Sequence, residues 1–386
     1  MLTTLAVAHY RSLRELVVPM TGLNLVTGAN GSGKSNLYRA LRLLAETARG
    51  GVIPALAREG GLASTLWAGP ERISARMQRG EVPVEGTVRQ ERVSLRLGFA
   101  GDEFGYAIDL GLPAPSSSVF ARDPEIKREV IWSGPFLRGS NVLVDRHGSL
   151  VRVREGRGWR VAAEHLGGFE SLFDHVADPK SAPEVLVLRE RIRGWRFYDH
   201  FRSDHEAPAR LPQLGTRTPV LSHDGRDLAA AWQTIVETGD APALQAAVSD
   251  AFPGARVSIQ IDDGRFLLMF DQQGLLRPLS AAELSDGTLR YLLWIAALHT
   301  PRPPELMVLN EPETSLHPDL LPALARLIAT ASRRCQVWVV SHASRLIAAL
   351  EAEPDCNTLR LEKQFSQTGV IGQGLLDVPA WHWPER

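Results

Sequence analysis

Four short clusters in this 386-residue chain hold residue types whose spacing could do chemistry. The first is Gly28, Gly33, Lys34 and Ser35, which satisfy G-x-x-x-x-G-K-[ST] in full. Glycines at such positions let backbone N–H groups turn inward around a phosphate without Cβ clashes. The lysine would reach β- and γ-phosphates, and the serine hydroxyl would coordinate magnesium. Only Lys34, Lys127, Lys180 and Lys363 are lysines, every other strong cation being arginine, so a lysine at this position is informative. The second cluster is Asn310 and Glu311, directly after the apolar run Leu306 to Leu309. Acidic or amide residues at the end of a buried parallel strand are where phosphoryl-transfer folds hold magnesium and the attacking water. Glu311 would orient that water or take its proton. Asn310 stands where an aspartate is usual; its amide oxygen can accept from a magnesium-bound water but brings no charge, so weaker metal binding, slower turnover or help from Glu313 is expected. Ser341 and His342, after the apolar run QVWVV, form the third cluster. A lone histidine is more often structural, but at the end of the next strand it is suited to touch a γ-phosphate. The fourth is Ser285, Asp286 and Gly287 at the start of a helical pattern. Either Ser285 or Asp286 makes a good N-cap, and the chemistry favours a plain capped helix over an anion site at its N-terminus, which in one chain has no clear phosphate to bind.

The elements that must position these clusters are legible around them. Leu2 to Ala8 and Leu16 to Val18 alternate like strands, and Leu23 to Val26 reads as a buried strand leading into the phosphate loop. Leu37, Ala40, Leu41 and Leu44 then share one face of a helix, and Gly50, Gly51, Gly60 and Gly61 end it and open a loop region. From about Val82 to Val161 short alternating runs separated by turn residues predict an antiparallel β region. A helix with Val185, Leu188 and Ile192 on one face is predicted to run through to Phe201, and Pro208 to Pro219 to be a turn-rich boundary loop. Two helices follow, then a hairpin turning at Asp262, Asp263 and Gly264. The last third alternates helix and apolar strand, as parallel βα units do. The fold class is therefore α/β.

Composition excludes several classes. Apolar content of 44% with 23% charged residues is ordinary for a globular protein. No apolar run approaches the roughly 18 residues of a membrane span, and no signal peptide is recognisable. Cys335 and Cys356 are isolated, so buried thiols in a cytoplasmic protein are expected rather than a disulfide or metal site. A net charge of −1 argues against a uniformly basic nucleic-acid binder. No repeat or sustained heptad occurs.

In chain order the motifs are GANGSGKSN, LSDGT, LMVLNEP, ETSLHP and VVSH. Together they resemble the ABC-type P-loop ATPases of the RecF/SMC/OLD-like branch, and HYRSLREL and LSHDGRDLAAAW extend the likeness over most of the chain. The resemblance implies a P-loop NTPase of the ABC-ATPase head type with an antiparallel β subdomain and a helical signature subdomain. It divides the chain into ATPase lobe I over 1–180, a helical insert over 181–254 and ATPase lobe II over 255–386. ATP and Mg²⁺ are the implied cofactors, with Gly28, Asn30, Gly31, Gly33, Lys34, Ser35, Asn36 and Arg11 on the nucleotide, and Ser35 and Asn310 on the metal. Glu311 and His342 would be catalytic, His342 as the switch histidine. Ser285, Asp286 and Gly287 would act in trans on ATP held by Lys34 of a second copy, giving the signature helix its phosphate. Ser315, Leu316 and His317 would cross the interface of that ATP-dependent homodimer.

Three departures from the pattern bear on turnover and mechanism. Asn310 replaces the Walker B aspartate. No glutamine occupies an obvious Q-loop, for which the segment around Arg58 to Gly61, with Glu59, is a substitute. No heptad arms are present, and residues 343–386 are too few for the TOPRIM nuclease module of OLD proteins. Two functions remain open on the sequence. One is an ATP-gated clamp on double-stranded DNA in repair or recombination, supported by Arg189, Arg191, Arg193 and Arg196 and by Arg152, Arg154, Arg157 and Arg160; glutamates intersperse both groups, so a solvated charged face is the other reading. The alternative is a regulatory or sensor ATPase controlling a separate effector protein in antiviral defence. A membrane transporter motor is disfavoured by the long β insertion between GKS and LSDGT, and no membrane partner is expected.

Overall fold

A computed structural model of the chain describes all residues except 71–73, 80, 84–91, 93, 116, 177, 181 and 375. The first part of the expected β region, and Ser181 at the head of the expected long helix, lie outside the described residues. The chain begins with strands β1 (Leu2–Tyr10), β2 (Leu13–Pro19) and β3 (Leu23–Gly28), then helices α1 (Lys34–Thr47), α2 (Val52–Arg58), α3 (Leu62–Thr65) and α4 (Ala75–Gln78). Strands β4 (Leu95–Gly101), β5 (Phe104–Gly111), β6 (Glu125–Ser133), β7 (Val142–His147), β8 (Leu150–Glu155) and β9 (Gly158–Ala163) follow, with α5 (Leu172–His175) and α6 (Pro183–Gly194) after them. Next come β10 (Arg196–Tyr198), β11 (Gln213–Leu214), α7 (Leu228–Thr238), α8 (Ala241–Ala251), β12 (Arg256–Asp262), β13 (Arg265–Asp271) and β14 (Leu279–Ser280). The chain closes with α9 (Asp286–Leu298), β15 (Leu306–Asn310), α10 (Leu321–Ser332), β16 (Gln336–Val340), α11 (Ser344–Glu351), β17 (Cys356–Gln364) and β18 (Gln367–Val370).

These elements form two compact units. The first comprises Met1–Thr21, Gly28–Gly194 and Leu359–Arg386. Its eight-stranded antiparallel sheet runs β2-β1-β4-β5-β6-β7-β8-β9. The first hairpin of the chain therefore continues the later β region, a pairing that alternation alone cannot assign because register follows from burial and turn geometry across long separations. Helix α1 packs on β1 and β4, with Leu37, Ala40, Leu41 and Leu44 fully buried as their spacing predicts. Each such leucine stabilises the fold by about 1.5–3 kcal/mol relative to exposure. Trp381 closes the opposite end of the chain onto Trp132, edge to face at 5.7 Å. The β17–β18 hairpin, with Phe365 and Ser366 both at positive φ in its turn, lies against β2.

The second unit comprises Gly22–Thr27 and Trp195–Thr358. Four parallel strands in the order β10-β15-β16-β3 form its sheet, in register so that Asn310 lies beside Val340 and Val340 beside Val26. A small antiparallel sheet of β11, β13, β12 and β14 accompanies it. The core holds Trp232, Ile235, Leu292, Trp294, Ile295 and Leu324, all nearly inaccessible, drawn from α7, α9 and α10. Parallel strands covered on both faces must be continuously apolar, which is why LMVL and QVWVV read so clearly.

Three local expectations are corrected. The helix predicted to run on to Phe201 stops at Gly194, and Arg196–Tyr198 instead forms a parallel strand beside β15. Trp195, Phe197 and Tyr198 are buried there, and aromatic residues suit a pleated, covered surface better than a helix end. The segment after Gly50 and Gly51 is helical in α2 and α3 rather than an open loop. The Pro208 to Pro219 segment contains a 3₁₀ turn over Pro208–Arg210 and strand β11, with Arg210 buried. Cys335 and Cys356 are free but only half-buried.

Candidate nucleotide site

The phosphate loop belongs to the first unit. Gly28, Gly31 and Gly33 have φ of 144°, 79° and 111°, a region that glycine enters at little cost. Space adds a second requirement at two of them. A Cβ on Gly28 would lie 2.3 Å from the Leu361 carbonyl oxygen, and one on Gly33 would lie 2.2 Å from Thr368 Oγ1. Gly33 is the N-cap of α1, which has no side-chain cap and no acidic residue in its first turn, so the positive end of the helix dipole is uncompensated from within the helix. Lys34 is buried, and its Nζ donates to the carbonyls of Gly28 at 2.6 Å and Ala29 at 3.2 Å. Asn30, Gly31 and Ser35 are exposed. The buried Ser32 hydroxyl has no hydrogen-bond partner among the described residues. A cradle a Cβ would fill, an open helix N-terminus and an ammonium beside it are the donor set that a triphosphate requires, and a serine hydroxyl with phosphate oxygens and water suits magnesium.

The loop is braced from residues far away in sequence. Thr368 Oγ1 donates to the Ser32 carbonyl at 2.8 Å and lies 2.6 Å from Ser12 Oγ. Asn36 Nδ2 donates to Ser12 Oγ at 2.8 Å, so Asn36 faces this brace. Arg11 forms an ion pair with Glu59 at 2.8 Å, and Tyr10 donates to the same carboxylate at 2.6 Å. Burial, and then the hydrogen bond to Glu59, push the Tyr10 hydroxyl far above its ordinary pKa, so it stays a neutral donor. The two residues singled out separately in sequence, Arg11 and Glu59, thus meet each other.

The strand ends belong to the second unit. The Glu311 N–H donates to the Val340 carbonyl at 2.8 Å, extending the β15–β16 pairing by one bond. Glu311 and Ser315 adopt φ of 49° and 63°, left-handed conformations that cost non-glycine residues about 1–3 kcal/mol each and cluster at functional sites. Glu313 is buried, and its Oε1 accepts from Ser341 Oγ at 2.7 Å and from the backbone N–H groups of His342 at 2.9 Å and Ala343 at 3.1 Å. Its Oε2 is buried without a partner among the described residues. The His342 imidazole sits between two carboxylates, Nδ1 lying 3.4 Å from Glu313 Oε1 and 3.7 Å from Glu311 Oε1. Glu311 and His342 are both about half exposed, unlike Glu313. One carboxylate is thus held by three donors of the turn, and the other faces His342 at the surface.

In the same unit, Ser285 is the N-cap of α9, its hydroxyl accepting from the Thr288 N–H at 3.2 Å, which settles the choice between it and Asp286. Asp286 pairs with Arg210 at 2.7 Å. That buried guanidinium also donates to the carbonyls of Ser203, Ala281 and Leu284. A Cβ on Gly287 would lie 3.0 Å from the Ser315 carbonyl, so glycine lets α9 seat closely on the turn after Glu311. Arg290 fastens the same contact, donating to the Thr314 carbonyl at 2.8 Å and to Phe201 O and Ser203 Oγ. Ser315 and His317 are exposed, and His317 caps the short turn over Pro318–Leu320. Ser12, Thr368, Arg210 and Arg290 were not identifiable beforehand. Small hydroxyls and arginines are common surface residues, and their partners are remote in sequence.

The two arginine groups separate. On α6, Arg189, Arg191 and Arg193 are engaged by Phe173 O, Glu103, Ala48 O and Glu190. On β8, Arg152 and Arg154 flank the exposed Trp159 ring at 5.3 and 5.0 Å, and Arg152 also pairs with Asp145. Among the described residues no helix is long and apolar enough to cross a membrane.

Comparison with known proteins places these features. The solved structures similar to this chain include an SMC head bound to the C-terminal winged-helix domain of ScpA, at 13% identity, TM-score 0.52, covering 96% of this chain and 97% of that one. An SMC head domain from Thermotoga maritima follows at 12% identity and TM-score 0.49, covering 96% and 98%. A head domain with an extended coiled coil, bound to the C-terminal domain of ScpA and derived from Pyrococcus furiosus, gives 11%, 0.49, 96% and 95%. No curated protein sequence matches. At such identities the first likeness speaks for the fold alone, that of an SMC head. Residues 23–348 match the family described as "AAA domain, putative AbiEii toxin, Type IV TA system". The chain belongs to that family, and its fold is similar to that of the SMC heads.

Proposed function

We propose that this protein is a slow, ATP-driven switch that closes two copies head to head and acts on double-stranded DNA. The observation that carries the reading is the phosphate loop, in which Lys34 and the N-terminus of α1 converge on a glycine cradle without a compensating carboxylate. Bound magnesium, for which Ser35 and Asn310 would be the ligands, would offset charge on the β- and γ-phosphates. Lys34 would leave the Gly28 and Ala29 carbonyls for the phosphates. Glu311, half exposed at a strained turn, would orient a water and accept its proton, while His342 would sense the γ-phosphate from beside it. Ser285 and Gly287 would complete the site of the second copy. Gly31, Gly33, Asn30, Asn36 and Arg11 would shape the nucleotide's surroundings, Asn36 and Arg11 through the contacts they already make.

Supporting the switch reading is Asn310, which leaves the metal site one negative charge short. DNA binding draws its support from Arg152 and Arg154 around Trp159, a cationic and aromatic surface able to meet a phosphate backbone. The test measures ATP binding, mass in solution and retention of duplex DNA on filters with and without ATP at low salt. Micromolar ATP affinity with doubled mass and ATP-dependent retention is expected, and failure to retain duplex in either state ends the DNA reading. A second reading, a sensor ATPase governing a separate effector in defence, is favoured by the toxin–antitoxin description of the family. It predicts an ATP-dependent complex with a neighbouring gene product in place of DNA retention.

A further inference from the structure

Thr368 lies on the far side of the sequence from the phosphate loop, in β18, yet it is completely buried against it. Its hydroxyl has one proton and the structure shows where it goes. The Ser32 carbonyl, 2.8 Å away, can only accept, so Thr368 must donate to it. Thr368 Oγ1 is therefore the acceptor of the 2.6 Å contact with Ser12 Oγ, and Ser12 spends its own proton there. Ser12 in turn accepts from Asn36 Nδ2 at 2.8 Å. The result is a one-way chain from the Asn36 amide through Ser12 and Thr368 to the Ser32 carbonyl. The backbone fixes it at one further point, where the Thr368 N–H donates to the Ser12 carbonyl at 2.8 Å.

The direction of that chain has a consequence for the loop. No cis peptide occurs among the described residues, so the Ser32–Gly33 unit is trans and planar, and its N–H points opposite to its C=O. Holding the Ser32 carbonyl on Thr368 turns the Gly33 N–H away from Thr368. That N–H is at the N-cap of α1, among the donors such a loop presents to a phosphate. Thr368 also accounts for the second glycine of the motif, because its side chain fills the space a Cβ on Gly33 would need.

We infer that Thr368, relayed by Ser12 and Asn36, is the positioning residue that sets the orientation of the Ser32–Gly33 peptide and so aims the Gly33 N–H at the bound phosphate. This inference rests on the reading of the loop as an ATP site. It makes the β17–β18 hairpin part of the nucleotide site through one hydroxyl, without that hydroxyl touching the ligand.

The test is equilibrium binding of ATP, ADP and adenosine to the full chain by calorimetry, alongside thermal melting of the same preparations. Thr368→Val removes the donor and keeps the volume, Thr368→Ala removes both, and Thr368→Ser restores the donor. Loss of one aimed hydrogen bond to a charged phosphate should weaken ATP and ADP about tenfold in the Val and Ala variants. Adenosine binding should stay unchanged while melting falls by only a few degrees for the orphaned Ser32 and Ser12 groups, and Thr368→Ser should return ATP affinity to within about twofold, far less than one hydrogen bond's worth. Wild-type ATP affinity in both Val and Ala variants overturns the inference. So does parallel loss of melting temperature and of affinity that Thr368→Ser fails to restore, since the hydroxyl would then only support the fold. If wild-type protein itself binds no ATP while remaining folded, the ATP reading fails first, and the inference falls with it by a distinguishable route.

Discussion

The phosphate loop and the strand-end turn after Asn310 are built on opposite principles. Around the loop the protein works with neutral groups: three glycines at positive φ, backbone N–H donors, and a chain of hydroxyls ending on the Ser32 carbonyl. Its one charge, Lys34, is buried and held on loop carbonyls. At the strand ends the protein works with charge and strain. Two carboxylates bracket His342, one is pinned by three donors, and Glu311 and Ser315 sit in conformations that glycine would adopt more cheaply. On the proposed reading the difference makes grip and turnover separable: the cradle supplies donors fixed by the backbone, with Lys34 left to move, whereas a half-exposed glutamate on a strained turn is placed to respond to what is bound.

The comparison can be broken at its strongest point first. Lys34→Ala should weaken ATP by about a hundredfold or more, because a buried charge-assisted contact to phosphate is lost; retained micromolar affinity in calorimetry would sink the account of the loop. Glu311→Gln should leave affinity alone and slow phosphate release about a hundredfold, the scale of a general base. It should also hold an ATP-bound pair, read as doubled mass in light scattering. Comparable loss of ATP affinity in this variant would show that grip and turnover are not separable. Ser285→Arg should abolish pairing and leave ATP binding intact, with about 1 kcal/mol lost from the cap of α9 in thermal unfolding. Asn310→Asp should raise turnover several-fold, about the effect of one added charge at the metal, and an unchanged rate would mean the site is adapted to asparagine. The smallest effect concerns Cys335, at the entry of β16, whose thiol burial pushes up to about 11. Its alkylation should be slow at pH 8 and accelerate as pH approaches 11 in wild type and Asn310→Asp alike. Faster reaction in the variant alone would show that the substitution disturbs the strand and not only its charge.

Several of these features could be read in advance, for identifiable reasons. The strand before Gly28, the buried face of α1 and the parallel strands ending at Asn310 and Val340 carry local patterns that burial on one or both faces imposes. The same local logic failed past Gly194, where Arg196–Tyr198 form a strand in place of the continued helix. A parallel neighbour, β15, supplied the hydrogen bonds that a continued helix would otherwise have made. Arg189, Arg191 and Arg193 looked available for nucleic acid, but acidic and carbonyl partners engage them.

By itself the sequence determined that a phosphate loop follows a buried strand, that Glu311 and His342 follow two apolar strands, and that Ser285 or Asp286 opens a helix. Those are short-range facts, fixed by backbone conformational limits and by the periodicity of burial. Only the tertiary structure decided that β1 and β2 extend the later β region, that Arg11 meets Glu59, and that Glu313 is held in the turn while Glu311 stays half exposed beside His342. It alone brought Thr368 onto Ser32 and Gly33, and Arg210 and Arg290 onto the signature helix and its turn. These pairings join residues dozens to hundreds of positions apart. Their side chains carry no local signature, because a hydrogen bond between remote groups is specified by where the whole fold places them.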